Sequence, residues 1–315
     1  MILGPTSAGK SAVAIELAKK FDGEVVSVDS RQIYRGMDVG TGKIIRDEIS
    51  NFKFQISNQI QKSKSQKIAP FISDGIIHHM IDIASPRTNF SVAQFKKKAD
   101  KAIVDILKRG KLPILCGGTG FWIDAVIDNI IYPEVAPNWE LRKKLEIKST
   151  EELFAELKKI DARRAENIDA KNKVRLIRAI EIFQAIGKVP DTDAKTQNSN
   201  YDTLKIGINP GKEKLHAKIK KRLDQRWKDG MLAEVQKLHK SGLSWKKIQS
   251  FGLGYFWIPK YLQKEITLAE LYERVYLAEK DYAKRQMTWF KRDKEINYID
   301  LKGAETLVDG FLNSN

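Results

Sequence analysis

The first 120 residues alternate short apolar runs with segments whose apolar positions recur at helical spacing, the pattern of βαβ units building a parallel sheet. Ile2-Leu3 runs straight into a glycine loop, Gly4–Gly9, and Ser11 to Phe21 then sets Val13, Ala14, Leu17, Ala18 and Phe21 on one helical face. Glu24 to Val28 is a buried-strand run ending at Asp29. Phe90 to Lys108 predicts a helix, with Phe90, Ala93, Phe95, Ala99, Ile103 and Leu107 about a turn apart. Pro113 to Cys116 is a second buried strand, closed by Gly117-Gly118-Thr119-Gly120 and followed by an apolar helix through Ile127. From Asn129 the texture changes: Leu141 to Gly187 predicts several short basic helices, and Pro190 to Asn200 is polar without periodicity, hence a loop. Leu204 to Ile208 alternates like a strand, a helix is expected from about Lys212 to Lys240, another from Thr267 to Lys291, and a last strand at Ile296 to Ile299. The simplest organisation is an α/β core, residues 1–128 and 203–315, interrupted by an all-helical insertion at 129–202.

At 315 residues the chain has room for about two folding units. Its 42% hydrophobic and 30% charged residues can bury a real core, which excludes wholesale disorder, collagen and coiled coil. No apolar run approaches the ~18–20 residues that span a bilayer, so no membrane span is expected, and no membrane is counted among the partners. The start, Met1-Ile2-Leu3-Gly4, meets the glycine loop at once and leaves no room for a signal segment. The single cysteine, Cys116, rules out an internal disulfide framework or a cysteine zinc ribbon, and a reducing cytoplasm is the expected home. Charge adds a positive clue. Fifty-six Lys and Arg against 40 Asp and Glu give +16, an excess that suits a polyanionic partner or an anionic membrane face as well as a merely solvated surface. Residues 1–130 carry 19 basic and 13 acidic side chains, so +6 falls there and +10 in the second half.

Gly4-Pro5-Thr6-Ser7-Ala8-Gly9-Lys10-Ser11 matches G-x-x-x-x-G-K-[ST] between a strand and a helix. In that setting backbone N–H groups turn inward around a phosphate chain, the helix N-terminus adds positive potential, Lys10 supplies a point charge, and the Ser11 hydroxyl can hold Mg²⁺. A P-loop NTPase-like core with a bound diphosphate group follows. What surrounds the loop narrows the class: no Asn-Lys-x-Asp guanine motif is present, and the strand at Ile114–Cys116 ends in Gly-Gly-Thr instead of a hydrolytic acid pair. The carboxylate stands at the end of the second strand, Asp29, where a doubly wound sheet would aim it into the same crevice. Three roles are open to it: an acid binding Mg²⁺ or activating a hydroxyl in a small-molecule kinase, a base drawing a proton from an incoming nucleophile, or a helix N-cap. His78-His79 has no spaced carboxylate or cysteine partners, which favours a structural or crevice role over a metal site.

Taken together, the P-loop, Asp29-Ser-x-Gln-Ile-Tyr-Arg-Gly-Met-Asp-Val-Gly-Thr41, His78-His-Met-Ile-Asp82, Gly117-Gly-Thr-Gly120, Arg175-Leu-Ile-Arg178 through Phe183 with Gly187-Lys188, and Ala283-Lys-Arg-Gln-Met-Thr-Trp289 resemble the tRNA dimethylallyltransferase family. These blocks run from residue 4 to about 300, essentially the whole chain. The resemblance implies that the cradle formed by Gly4, Pro5, Thr6, Ser7, Ala8, Gly9, Lys10 and Ser11 holds the diphosphate of dimethylallyl diphosphate, with Mg²⁺ on Ser11. The prenyl group would pass to the exocyclic N6 of adenine 37, next to the anticodon, with Asp29 as general base and Thr119 near the reacting adenine. Lys10 and Arg222 would complete the catalytic set, with Lys218 on the diphosphate. An adenine in a stacked loop must be extruded to reach such a crevice.

The family's contacts with the tRNA anticodon stem-loop map onto Asp29, Ser30, Arg31 and Gln32, onto Val174, Arg175, Leu176, Ile177 and Arg178, onto Gly254 and Tyr255, and onto Lys284, Arg285, Gln286, Trp289 and Lys291. Arg175 and Arg178, three apart on a helix, share a face and could clamp phosphates. A monomer is expected. The sequence departs from the family in three places. A paired-arginine motif reads Lys218-Ile-Lys-Lys-Arg222, and lysine lacks arginine's bidentate fork. A cation expected after Leu253-Gly254-Tyr255 is Phe256, and only three residues precede the P-loop, where a strand has ~5. Two other readings share the P-loop: a small-molecule kinase, and a non-enzymatic RNA-binding scaffold.

Overall fold

The computed structural model describes residues 1–48, 70–190 and 201–314. They fall into two compact units, Met1–Val126 with Tyr201–Asn315, and Ile127–Asn200. The chain begins with β1 (Ile2–Leu3), α1 (Lys10–Lys20) and β2 (Gly23–Val28), then makes a hairpin of β3 (Phe71–Ser73) and β4 (Ile76–His79), followed by α2 (Val92–Lys108), β5 (Leu112–Gly117) and α3 (Gly120–Ile127). The second unit consists of α4 (Trp139–Glu146), α5 (Thr150–Ile160), α6 (Ala162–Glu166) and α7 (Lys173–Ile186), packed around Leu145, Leu153, Leu157, Leu176 and Ile180. The first unit resumes with β6 (Ile206–Gly207), α8 (Lys212–Lys228), α9 (Met231–Lys240), α10 (Trp245–Gln249), α11 (Gly254–Leu262), α12 (Leu268–Phe290), β7 (Asn297–Tyr298) and α13 (Leu301–Asn313).

The seven strands make one sheet in the order β3-β4-β2-β5-β1-β6-β7, parallel except for the β3–β4 hairpin. Parallel strands covered on both faces read as continuous apolar runs, and every residue of β2 is buried. One face carries α1, α8 and α13, which meet the sheet through Ala14, Leu17, Leu215, Ile219, Ala304 and Val308. α2 packs against β2 and β5, presenting Phe95, Ala99, Ile103 and Ile106. Its start is fixed by a capping box between Ser91 and Gln94, which satisfies two N–H groups that an uncapped first turn would leave open.

Register places the chemistry. Leu3 lies opposite Gly117, and Gly117 opposite Val28, so Gly4, Gly118 and Asp29 leave the carboxyl edge of the sheet side by side. β1 is only two residues long, yet it is laddered to β5 on one side and β6 on the other. The helix expected over 212–240 is two helices, because Gly230 adopts a left-handed φ of 91° and ends the first at Lys228. The hairpin was not anticipated; its turn, Asp74-Gly75, has φ values of 53° and 75°, the double positive φ that suits Asp-Gly in tight hairpins. Of the expected polar loop, residues 191–200 lie outside the described residues. Among the described residues no helix is long and apolar enough to cross a membrane.

Candidate active site

The Gly4–Ser11 loop wraps the head of α1 with left-handed turns at Ser7 (φ 61°) and Gly9 (φ 105°). Gly4 has φ 149°, and a Cβ there would run into the carbonyl oxygen of Ile208, just past the neighbouring strand β6, so no larger residue fits. The loop is pinned from α12. Gln286 accepts from the Thr6 N–H at 2.7 Å and donates to the Gly118 carbonyl at 2.8 Å, tying the loop to the end of β5. Lys10 donates to the Pro5 carbonyl at 2.7 Å. Burial is the main cause that lowers its ammonium pKa, to about 8; Arg222 adds to the lowering while Cys116 and Asp29 oppose it.

Around the loop opens a cavity of about 960 Å³, lined by Lys10, Ser11, Asp29, Arg31, Arg222 and Tyr282 among others, all in the first unit. Asp29 does two things at once. Its Oδ1 accepts from the backbone N–H of Arg31 at 2.8 Å and of Gln32 at 3.2 Å, so it caps the turn after β2, and the same side chain lines the cavity. Its charge is felt by Lys10 and Arg222 across that space. Thr119 stands behind this wall: its hydroxyl accepts from the Ser30 N–H at 3.3 Å and shares a hydrogen bond with Tyr282, which does line the cavity. The Arg31 guanidinium lies over the Tyr282 ring, 4.6 Å from its centre.

α8 supplies cations from one face, at four-residue spacing. Lys218 reaches the Ala8 carbonyl at 3.5 Å. Arg222 donates to the Thr6 hydroxyl at 3.3 Å and also to the Gly42 carbonyl, and burial is the main cause that lowers its pKa. Arg226, one turn on, donates to the Gly40 carbonyl at 3.1 Å and pairs with buried Glu279 at 2.9 Å. Sequence reasoning stopped at Arg222; continuing the same spacing would have reached Arg226. It also missed Tyr282 and Glu279, which share the α12 face of Gln286, and Glu234, whose partners are backbone groups some 195 residues away.

Several residues matched to nucleic-acid contacts sit elsewhere. Leu176 and Ile177 are buried in the core of the helical unit, so their side chains can meet no RNA. Arg178 is half-buried and bonded to Glu181 and to the Val135 carbonyl, whereas Arg175 is exposed. Gly254 and Tyr255 are buried, the Tyr255 hydroxyl donating to Glu234 at 2.6 Å. Gln286 is spent on the P-loop. Trp289 donates its indole N–H to Asp124 at 2.9 Å, with Arg292 stacked on its outer face. Val174, Lys284, Arg285 and Lys291 are exposed. His79 bonds Glu24 at 2.6 Å, whereas His78 is buried on the cavity wall, burial being the main cause that lowers its pKa to about 4. Among the described residues no group of three His, Cys, Asp or Glu could hold a metal by itself.

With this geometry in hand, the chain can be set beside known proteins. The profile of the IPP transferase family matches residues 64–293, and that of isopentenyl transferases residues 1–58. The chain belongs to the IPP transferase family. A tRNA dimethylallyltransferase of Acetivibrio thermocellus is 39% identical over 307 residues, covering 95% of this chain and 90% of the relative. The crystal structure of the full-length tRNA isopentenylpyrophosphate transferase of Bacillus halodurans superposes with a TM-score of 0.67 at 32% identity, over 99% of this chain and 94% of that one. A eukaryotic dimethylallyltransferase crystallised acting on tRNA shares the fold, with a TM-score of 0.74 at 24% identity, over 95% and 73% of the two chains. Within the IPP transferase family, Lys218 stands where the sequence pattern leads one to expect an arginine, and it still reaches the P-loop.

Proposed function

We propose that this chain is a tRNA dimethylallyltransferase, moving a dimethylallyl group from dimethylallyl diphosphate to N6 of adenine 37 in the anticodon loop. One observation carries the reading: a phosphate cradle and the carboxylate of Asp29 face each other across a single cavity, in a chain whose relatives carry that name over nearly their whole length. The cradle N–H groups, Lys10, Lys218 and Arg222 suit a diphosphate whose negative charge grows as it leaves, the kind of charge that preorganised donors stabilise most. Near pH 8 Lys10 is about half charged, and a bound anion would draw it fully into the cationic form.

The allylic C–O bond breaks, the bond from N6 to the same carbon forms, and the N6 proton goes to Asp29, with both electrons of the broken bond leaving on the diphosphate. Asp29 Oδ1 is occupied by two N–H donors, which leaves Oδ2 as the proton acceptor. An exocyclic amine is a weak nucleophile, so a positioned base is worth about 10²–10⁴ in rate. Tyr282 lines the same cavity as that carboxylate, and with Thr119, its hydrogen-bond partner, would orient the purine.

Mg²⁺ fits the donors present. The Ser11 hydroxyl at the head of α1 lines the cavity and would hold it, and a diphosphate would bring most of the remaining oxygens, as Mg²⁺ sites of this kind require. When bound, the ion would neutralise charge on the departing diphosphate. Exposed Arg175, Lys284, Arg285 and Lys291 are the cations we assign to tRNA phosphates, with residues 129–202 as a tRNA-binding insertion in a cytoplasmic monomer. The test is incubation of purified protein with dimethylallyl diphosphate, Mg²⁺ and unmodified tRNA, followed by mass spectrometry of the nucleosides. N6-(dimethylallyl)adenosine is expected. Unmodified tRNA beside a family member that modifies it, or ATP consumed only with a small alcohol, would overturn the reading.

A further inference from the structure

We propose that Glu234 is a positioning residue for the diphosphate: it locks the 38–42 loop, and the loop holds Arg222 against the cradle. Three consecutive backbone N–H groups converge on this one carboxylate, from Asp38 at 2.6 Å, Val39 at 2.7 Å and Gly40 at 3.0 Å. The Tyr255 hydroxyl donates to it as a fourth partner at 2.6 Å. Successive N–H groups pointing inward are the arrangement by which backbones hold phosphate. Here the protein's own carboxylate fills the nest, so the loop is set in shape and closed to a stray anion.

The opposite edge of the loop is gripped too. Arg226 takes the Gly40 carbonyl and Arg222 takes the Gly42 carbonyl, so α9 holds the N–H side and α8 the carbonyl side. There is no slack to take up: a Cβ on Gly40 would come within 2.6 Å of the Tyr255 ring. Arg222 therefore spans two anchors, Gly42 on the loop and Thr6 in the cradle. Freed from the first, its long side chain regains rotamers and its charge is no longer fixed beside the phosphates. Glu234 itself does not line the cavity, so it acts only through the loop.

The test separates this role from the transferase assignment, on which the identity of the diphosphate depends. Binding of inorganic pyrophosphate with Mg²⁺, measured by calorimetry on the full chain, needs no turnover. Glu234→Ala is expected to weaken that binding about tenfold, the equivalent of one charge-assisted hydrogen bond. It should raise KM for dimethylallyl diphosphate by a similar factor and leave KM for tRNA within about twofold. Glu234→Gln, whose carbonyl oxygen can still accept from Asp38 and Val39, should recover binding to within about threefold of the parent. Pyrophosphate binding by folded Glu234→Ala within twofold of the parent overturns the proposal. If Glu234→Ala fails to fold, Glu234→Asp takes its place, since its carboxylate is one methylene short of the three N–H groups and should weaken pyrophosphate binding at least about threefold; binding within twofold of the parent then overturns the proposal. A parent chain that binds pyrophosphate and transfers no prenyl group sinks the transferase assignment and leaves the Glu234 comparison intact.

Discussion

Replacing Asp29 by asparagine separates the two duties of that side chain. Asparagine keeps an oxygen where Oδ1 stands, so the N–H groups of Arg31 and Gln32 stay satisfied and the turn after β2 survives. What disappears is the basic oxygen. General-base assistance is worth about 10²–10⁴, or about 3–5 kcal/mol of barrier, so kcat for prenyl transfer should fall by that factor while the melting temperature stays within a degree or two. Asp29→Ala should lose the same rate and also the cap, about 1 kcal/mol, which for a chain of this size lowers the midpoint by roughly 1–2 °C and is read more sharply as a loss of urea-denaturation free energy. Neither change should weaken tRNA binding by more than a few fold. The measurement is single-turnover transfer to an anticodon stem-loop RNA, with thermal denaturation and filter binding on the same preparations. An asparagine variant retaining more than about a tenth of the parent rate would show that Asp29 is a cap and nothing more. Equal loss of transfer and of RNA binding would contradict the base assignment as well.

Other outcomes follow from named contacts. Because burial lowers Lys10 to about 8 and a bound anion raises it, pyrophosphate binding above pH 8 should take up protons and weaken as pH climbs, visible by calorimetry in buffers of different ionisation enthalpy. Burial alone would raise the Glu24 carboxyl, but bonds from Arg109 and His79 pull it down to about 2; its contribution, about 2 kcal/mol after allowing for the half-exposed arginine, is therefore present above about pH 4.5 and lost as pH falls towards 2. Glu24→Gln should flatten that part of an acid-denaturation curve. Lys218→Arg should restore a bidentate fork and lower KM for dimethylallyl diphosphate by about two- to fivefold in steady-state kinetics. Gln286→Leu should leave the Thr6 N–H and the Gly118 carbonyl without partners, costing about 2–4 kcal/mol in urea denaturation.

The parallel core was legible because its signals are local: apolar runs at β2 and β5, helical spacing in α1 and α2, and a glycine loop between strand and helix. The β3–β4 hairpin was equally legible in Asp74-Gly75, the dipeptide that suits a tight turn between two short apolar runs. Asp29 could be placed in the crevice because it ends a strand, and in a doubly wound sheet strand ends and crevice coincide. Its bonds to Arg31 and Gln32 lie two and three residues away, well within local reach. Glu234 and Gln286 could not be read in the same way, since each serves backbone groups 168 to 280 residues distant and no spacing announces it. The burial of Leu176, Ile177 and Tyr255 was not legible for a related reason: a motif transfers a stretch, whereas exposure belongs to each side chain.

α12 touches four parts of the first unit from a single stripe. Glu279 meets Arg226, Tyr282 meets Thr119, Gln286 meets the P-loop, and Trp289 meets α3. Such a rod works as a ruler. Inserting one residue between Thr267 and Glu279 would turn everything beyond it by about 100° and miss all four stations together. Inserting the same residue before Thr267 would move only a surface connection. Tolerance to length change should therefore drop sharply at the start of this helix, although most of its outward residues are interchangeable.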